Sequence, residues 1–310
     1  MLAGALPARP RSRRVASRRV RIEAVAGYLF IAPWLIGFFI WTAGPMLYSI
    51  LLSLQETDLL TPAKFVGGGN YVALTADRLF WKSLGNTAYY SVFSVVLGLI
   101  GSLTLAFMMN AKLTGIKGYR TVYYLPAILP AAPVALLWRL IFNPEQGFAN
   151  MLFKMLGLPK QGWIYSQNLA MPCLIIMSLW GLGSSLMIYL AGLQGIPKEM
   201  YEAAQIDGAA WWPRSRHITL PMLSPTIFFN LIMAIIGSFQ IFTASYVLTN
   251  GGPNFATLTY VLYLYNNAFR YFKFGFAAAS AWVLFFIILA LTALVFRSSP
   301  AWVYYESELR

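Results

Sequence analysis

The sequence predicts an all-α, polytopic membrane protein with about six transmembrane helices. Three observations carry this. Hydrophobic residues make up 59% of the chain and charged residues 11%. Several uncharged apolar stretches reach the ~20 residues that a helix needs to cross hydrocarbon. The polar residues collect in segments between them, which leaves no room for a large soluble domain.

In chain order, residues 1–25 form a mobile basic arm without apolar periodicity, rich in Arg, Ala and Pro. The formal charge of +13 does not point to nucleic acid, because Arg9, Arg11, Arg13, Arg14, Arg18, Arg19 and Arg21 crowd into this arm. Its natural partner is anionic membrane lipid, and it should remain in the cytoplasm. A first span covers about 28–54, interrupted by Pro33, Gly44 and Pro45, and a polar outer loop follows over 55–85. The run Gly67-Gly68-Gly69 in that loop has no Lys-Ser/Thr after it and no strand before it, so it is a flexible loop rather than a phosphate cradle.

The second span covers about 87–109 and the third about 122–138, the latter between Arg120 and Arg139 and broken by Pro126, Pro130 and Pro133. Prolines within a span free backbone carbonyls, which is tolerated where neighbouring helices or a watery cavity satisfy them, so this span is expected to line a cavity, a plain kink being the alternative reading. A polar outer loop over 142–169 leads to the fourth span, 170–193. The fifth covers 223–248, the segment 257–269 lies at the outer surface, and the sixth covers 274–296 before the tail. The organisation is therefore an arm (1–25), a first helix with its outer loop (26–85), a transmembrane core (86–297) and a cytoplasmic tail (298–310). With both termini inside, the arm, Lys112, Lys117, Arg120, Lys198, Arg214 and Arg216 fall on the cytoplasmic side, as the positive-inside rule asks.

The chain carries little chemistry of its own. Its acids fall outside the spans, so a proton-coupled carrier lacks its coupling group. Cys173 is the single cysteine and His217 the single histidine, which excludes an internal disulfide, a Cys/His metal cluster and a Ser/His/Asp triad beyond that one residue. Metal ligation is not expected. What the spans do offer is neutral hydrogen-bonding groups: Ser184 and Tyr189 on the fourth, Asn230, Ser238, Gln240 and Thr243 on the fifth. Such groups suit an uncharged polar solute, and equally they join helices by interhelical hydrogen bonds.

The one sizeable polar segment between strongly apolar ones is 196–221, IPKEMYEAAQIDGAAWWPRSRHITLP. Pro197 suits a first helical position, and Glu199 and Glu202 lie near the positive end of the helix dipole. Met200, Ala203, Ala204 and Asp207 recur at helical spacing as a narrow face of mostly small residues. Gly208 then ends the helix in the position where a left-handed residue is cheapest for glycine. A second short helix, 209–217, carries Trp211, Trp212, Arg214 and Arg216 and has interfacial character.

Glu202-Ala203-Ala204, Gly208 four residues on, and Ile218-x-Leu220-Pro221 resemble the EAA loop of ABC importer permeases. The segments 65–71 (FVGGGNY) with Asn86-Thr87, Phe142-Asn143 with Gly147-x-x-Asn150, and 248–253 (LTNGGP) are similar to the sugar branch of that family. The resemblance covers about 28–296. It implies a type I importer transmembrane domain, with a coupling helix that docks on a separate ATPase through Glu199, Glu202, Ala203, Ala204, Asp207, Gly208 and Pro221. It also implies a heterodimer with a second homologous permease, two ATP-binding subunits that hold ATP and magnesium, an external solute-binding protein, and a sugar or polyol substrate. Ser238 and Gln240 fall where the family places substrate contacts. The location implied is a bacterial or archaeal cytoplasmic membrane. An ATP-independent channel or secondary carrier, or a membrane-embedded enzyme, would share the spans but not this loop.

Overall fold

The computed structural model describes residues 18–111 and 114–304. Most of the basic arm, Lys112 and the last six residues lie outside these. Two units separate by their internal contacts, the first ending at Leu51 and the second starting at Leu52.

The first unit is one long helical run. α1 (Arg18–Phe38) passes through a π turn, Phe39–Ala43, into α2 (Gly44–Ser53). Pro45 cannot donate to a carbonyl four residues back, and the ladder widens just before it: the Gly44 N–H reaches the Phe39 carbonyl. The expected interruption at Gly44-Pro45 is therefore a local bulge in a continuous helix.

The second unit is a helical bundle with a two-stranded antiparallel ribbon, β1 (Gln55–Glu56) and β2 (Lys64–Phe65). Then come α3 (Gly69–Ala76) and α4 (Arg78–Met109). The Asp77 carboxylate caps α4 by accepting from the Leu79 N–H at 2.8 Å. α4 begins nine residues before the expected second span, so the expected outer loop contains a short helix and the first turns of this one. The Asn70 amide ties the FVGGGNY segment to the Ser53 and Gln55 carbonyls at 2.9 Å each.

The third span is not a straight crossing. α5 (Ile116–Ile128) and α6 (Ala131–Ile141) meet at 100°. Leu129 and Pro130 between them are extended, the conformation that a residue preceding proline favours. α7 (Phe148–Met155) follows in the loop. There Asn150 is a buried hub: its amide donates to the Pro144 and Gln161 carbonyls, and its oxygen accepts from the Gln161 N–H and the Trp163 indole. The fourth span is α8 (Ala170–Trp180) and α9 (Gly183–Gln194), bent by 44°. Gly183 makes the contact between α9 and α5 possible, because a Cβ there would lie 2.5 Å from the Tyr123 carbonyl oxygen.

After α10 (Lys198–Ile206), the expected second loop helix proves to be the start of the fifth span. α11 (Trp211–Arg214), a π turn (Ser215–Thr219) and α12 (Leu220–Phe239) form one 29-residue helical run. The π turn again precedes a proline, Pro221, which has no N–H to give. This helix ends at Phe239, well short of residue 248, and a third π turn, Ser245–Thr249, lies in the segment beyond.

The segment 257–269 is also placed otherwise than its short, aromatic sequence led us to expect. Thr257, Thr259, Tyr260 and Leu262 are fully buried, and α13 (Tyr260–Tyr265) packs on α4 and on α14 (Phe274–Ser298). Its backbone is satisfied from a distance. Asn86 donates to the Phe255 and Leu258 carbonyls at 2.8 and 3.0 Å, and the Thr87 hydroxyl accepts from the Tyr260 N–H at 2.8 Å. Beyond α14 the chain folds back, with the Tyr304 N–H on the Ser224 hydroxyl at 2.8 Å.

Among the described residues, four helical runs are long and apolar enough to cross a membrane, or up to six if each bent pair is one span.

Candidate functional site

Two places gather the residues that matter: the short helix α10 at one end of the bundle and a cavity among α4, α8, α9 and α12. α10 starts one position later than expected, with Pro197 as its extended N-cap residue. It ends in a complete Schellman arrangement. Gly208 has φ +73°, its N–H reaches the Gln205 carbonyl at 3.0 Å, and the Ala209 N–H reaches the Ala204 carbonyl at 2.9 Å. A Cβ at Gly208 would meet nothing within 4 Å, so glycine is required by the backbone conformation and not by space.

Glu199, Glu202, Ala203 and Asp207 are exposed, and Ala204 is half-buried. Met200 and Ile206 are also open, Ile206 at 87% of its area. The other side of α10 is anchored. The Tyr201 hydroxyl is 3.0 Å from the Thr219 hydroxyl. Ile196, just before the helix, is buried in an apolar cluster with Met109, Tyr189, Leu193 and Leu223. α10 is thereby joined to α4, α9 and the fifth helix at once. Pro221 is half-buried two positions into α12, where its carbonyl accepts from the Ser224 hydroxyl at 2.6 Å.

The cavity, about 410 Å³, is lined by Tyr90, Ser94, Ser178, Ser185 and Ser238 together with apolar side chains and glycines. Gly181 and Leu182, at the bend between α8 and α9, form part of its wall. Among the described residues, no charged side chain lines it. The arrangement can solvate a neutral polar molecule by hydroxyl hydrogen bonds.

With this geometry in hand, the comparisons with known proteins decide the family. Residues 94–299 match the family described as the binding-protein-dependent transport system inner membrane component. The chain belongs to that family. It is 41% identical, over 94% of its length and 96% of the relative's, to the probable ABC transporter permease protein YesP of Bacillus subtilis. It is 34% identical to the arabinooligosaccharides transport system permease protein AraP of the same organism, with 89% of each chain covered. Its fold matches a chain of the bacterial alginate ABC transporter solved with a periplasmic protein bound to alginate pentasaccharide: TM-score 0.80, 23% identity, 91% of this chain and 96% of that one. This is a multi-pass permease subunit of an ABC importer, a transport protein and not an enzyme.

Within the permease, the six polar residues singled out from sequence do not gather at one place. Ser238 lines the cavity. Asn230 is buried, its amide donating to the Thr226 carbonyl one turn back at 3.0 Å. Tyr189 is fully buried in the apolar cluster beside α10, its hydroxyl without a partner. Gln240 is the exposed C-cap residue of α12, Thr243 is half-buried beyond it, and Ser184 is exposed. The sequence reading missed Tyr90, Ser94, Ser178 and Ser185. Their only signal was a hydroxyl on a helix whose bend was not yet known. Among the described residues, no group of three His, Cys, Asp or Glu side chains is placed to hold a metal.

Proposed function

We propose that this permease is one half of a heterodimeric translocation pathway for a sugar or polyol. It pairs with a second homologous permease, two ATP-binding subunits that bind ATP and magnesium, and an external solute-binding protein. The membrane is the cytoplasmic membrane of a bacterium or archaeon, and both termini face the cytoplasm. The observation that carries the reading is α10: a short helix, open to a partner on one side and anchored to three span-forming segments on the other.

In this account the ATPase grips α10 through Met200, Ala203, Ile206 and the carboxylates of Glu199, Glu202 and Asp207. Ala203 and Ala204 allow close approach, and Glu202 pairs with a basic groove on the ATPase. Movement of the ATPase pair shifts α10 as a rigid body. The Tyr201–Thr219 contact and the buried Ile196 pass that shift to α9, α12 and α4, which wall the cavity. The bends between α5 and α6 and between α8 and α9 are the places where the spans rearrange between inward- and outward-facing forms. A sugar as solute is supported by the neutral, hydroxyl-lined cavity and by relatives such as the arabinooligosaccharide permease.

The reading is tested by co-expressing the tagged chain with its neighbouring genes and reconstituting what co-purifies. We expect an ATP-hydrolysing subunit to co-purify and ATP-dependent uptake to follow. Ser238→Val and Gln240→Leu should each weaken uptake several-fold, the ~1 kcal/mol value of a lost hydrogen bond, with basal ATP hydrolysis unchanged. A clean chain without an ATPase would contradict the reading. If hydrolysis and uptake fall together in both variants, these residues are structural.

A further inference from the structure

Arg139 and Arg270 line one cavity of about 520 Å³, together with Tyr165, Tyr246 and Asn250. Ile164 and Leu248 of its lining pack in one apolar cluster with Leu174 of α8. Arg139 is in the last turn of α6, and Arg270 closes the π turn Asn266–Arg270. The second guanidinium is held in place: its Nη2 donates to Asn250 Oδ1 at 3.1 Å, and its carbon lies 5.9 Å from the centroid of the Tyr246 ring. Among the described residues, neither arginine is in an ion pair, and no acid lines the cavity. Two like charges turned to one concavity without a counter-ion repel each other, and a bound anion would convert that repulsion into attraction.

We propose that this cavity is an anion-recognising subsite at the mouth of the pathway, taking the carboxylate or phosphate of a charged saccharide. The inference rests on the importer reading above and narrows its substrate class. Guanidinium forks match the oxygens of either acid group, and the exposed ring of Tyr165 offers a face to the sugar body. The volume is that of a small-molecule site, roughly 300–1,000 Å³, and its concavity suits a solute better than a flat protein surface. Among the described residues, no charged side chain lines the serine-lined cavity, so of the two cavities this is the one equipped to discriminate by charge.

The test is calorimetric titration of the purified full chain with trigalacturonate, glucose 6-phosphate and neutral maltotriose. It compares wild type with Arg139→Gln, Arg270→Gln and the two Lys variants. One anionic probe should bind more tightly than maltotriose, and which one names the acid group. Each Gln substitution should weaken it about tenfold, each Lys substitution less, and added salt should weaken it further. Binding of maltotriose and the melting temperature should not change. Wild type that shows no preference for either anion, or Gln variants that lose anionic and neutral probes alike, would overturn the proposal. Basal ATP hydrolysis by the assembled complex is measured separately. Its absence alongside intact anion binding would fault the importer reading and leave the subsite standing.

Discussion

Replacing Gly208 with valine is expected to leave the permease inserted at wild-type level while cutting ATP-driven uptake by about tenfold or more. The reason lies in one backbone angle. At φ +73° a β-branched residue is strained by roughly 1–2 kcal/mol, and the surroundings offer no steric objection that would unfold the region, since a Cβ there meets nothing. The strain is relieved by giving up the Gly208–Gln205 and Ala209–Ala204 bonds that close α10. α10 then loses its fixed direction relative to the fifth helix. Gly208→Asn is the informative partner, because asparagine tolerates the left-handed region and should retain most of the uptake. Uptake and ATP hydrolysis by the same reconstituted complex separate the outcomes. Hydrolysis that persists without uptake is uncoupling, whereas normal uptake in the valine variant would remove the role we give to this cap.

Gly183→Val should act on stability instead. Its Cβ would fall 2.5 Å from the Tyr123 carbonyl oxygen and 2.8 Å from Tyr124 Cα. Both are backbone atoms of α5, and neither can swing aside as the tip of a flexible side chain could. Overpacking of this kind costs on the order of 3 kcal/mol, and here it separates α5 from α9 at the two bent spans. The expected result is a clear fall in apparent melting temperature and in yield of folded protein. Gly85→Val is the control: that glycine is also helical, but a Cβ on it meets nothing within 4 Å, so its melting temperature should stay near wild type. Equal effects at the two positions would mean that the contact between α5 and α9 is not what Gly183 secures.

How much of this was legible in the sequence depends on how local the cause is. α10 was legible almost to the residue, because an extended proline before a helix and a left-handed glycine after it act within one turn. The sixth span was legible too, since twenty apolar residues have few other options in a membrane protein. The third span was half legible: three prolines announce a break, but not that its halves meet at 100°. The fifth helix was misjudged at both ends. A π turn carries it back to Trp211, where the Arg- and Trp-containing stretch had read as a separate piece, and the polar residues after Phe239 end it early.

The segment around α13 was the least legible of all. Its backbone is satisfied by Asn86 and Thr87, more than 160 residues earlier in the chain, and no window of local sequence contains that information. The same holds for the cavity. Ser94, Ser178, Ser185 and Ser238 are ordinary serines in ordinary helices until the packing of α4, α8, α9 and α12 brings them to one space. α10 was therefore open to sequence reasoning, because its residues are contiguous. The cavity was not, because it is assembled from side chains on four helices.

The central claim is that α10 is the surface on which an ATPase docks, and cysteine cross-linking tests it most directly. Cys173, the single native cysteine, is buried and leaves a quiet background. A cysteine at Ala203, exposed on α10, is compared with one at Met155, exposed on α7 in the loop between α6 and α8. In the assembled complex, a short bifunctional reagent should join the Ala203→Cys chain to the ATP-binding subunit, with the yield changing when ATP is added. The Met155→Cys chain should give no such product. Cross-linking to the ATPase from residue 155 and not from residue 203, or from neither in a complex that hydrolyses ATP, would contradict the account.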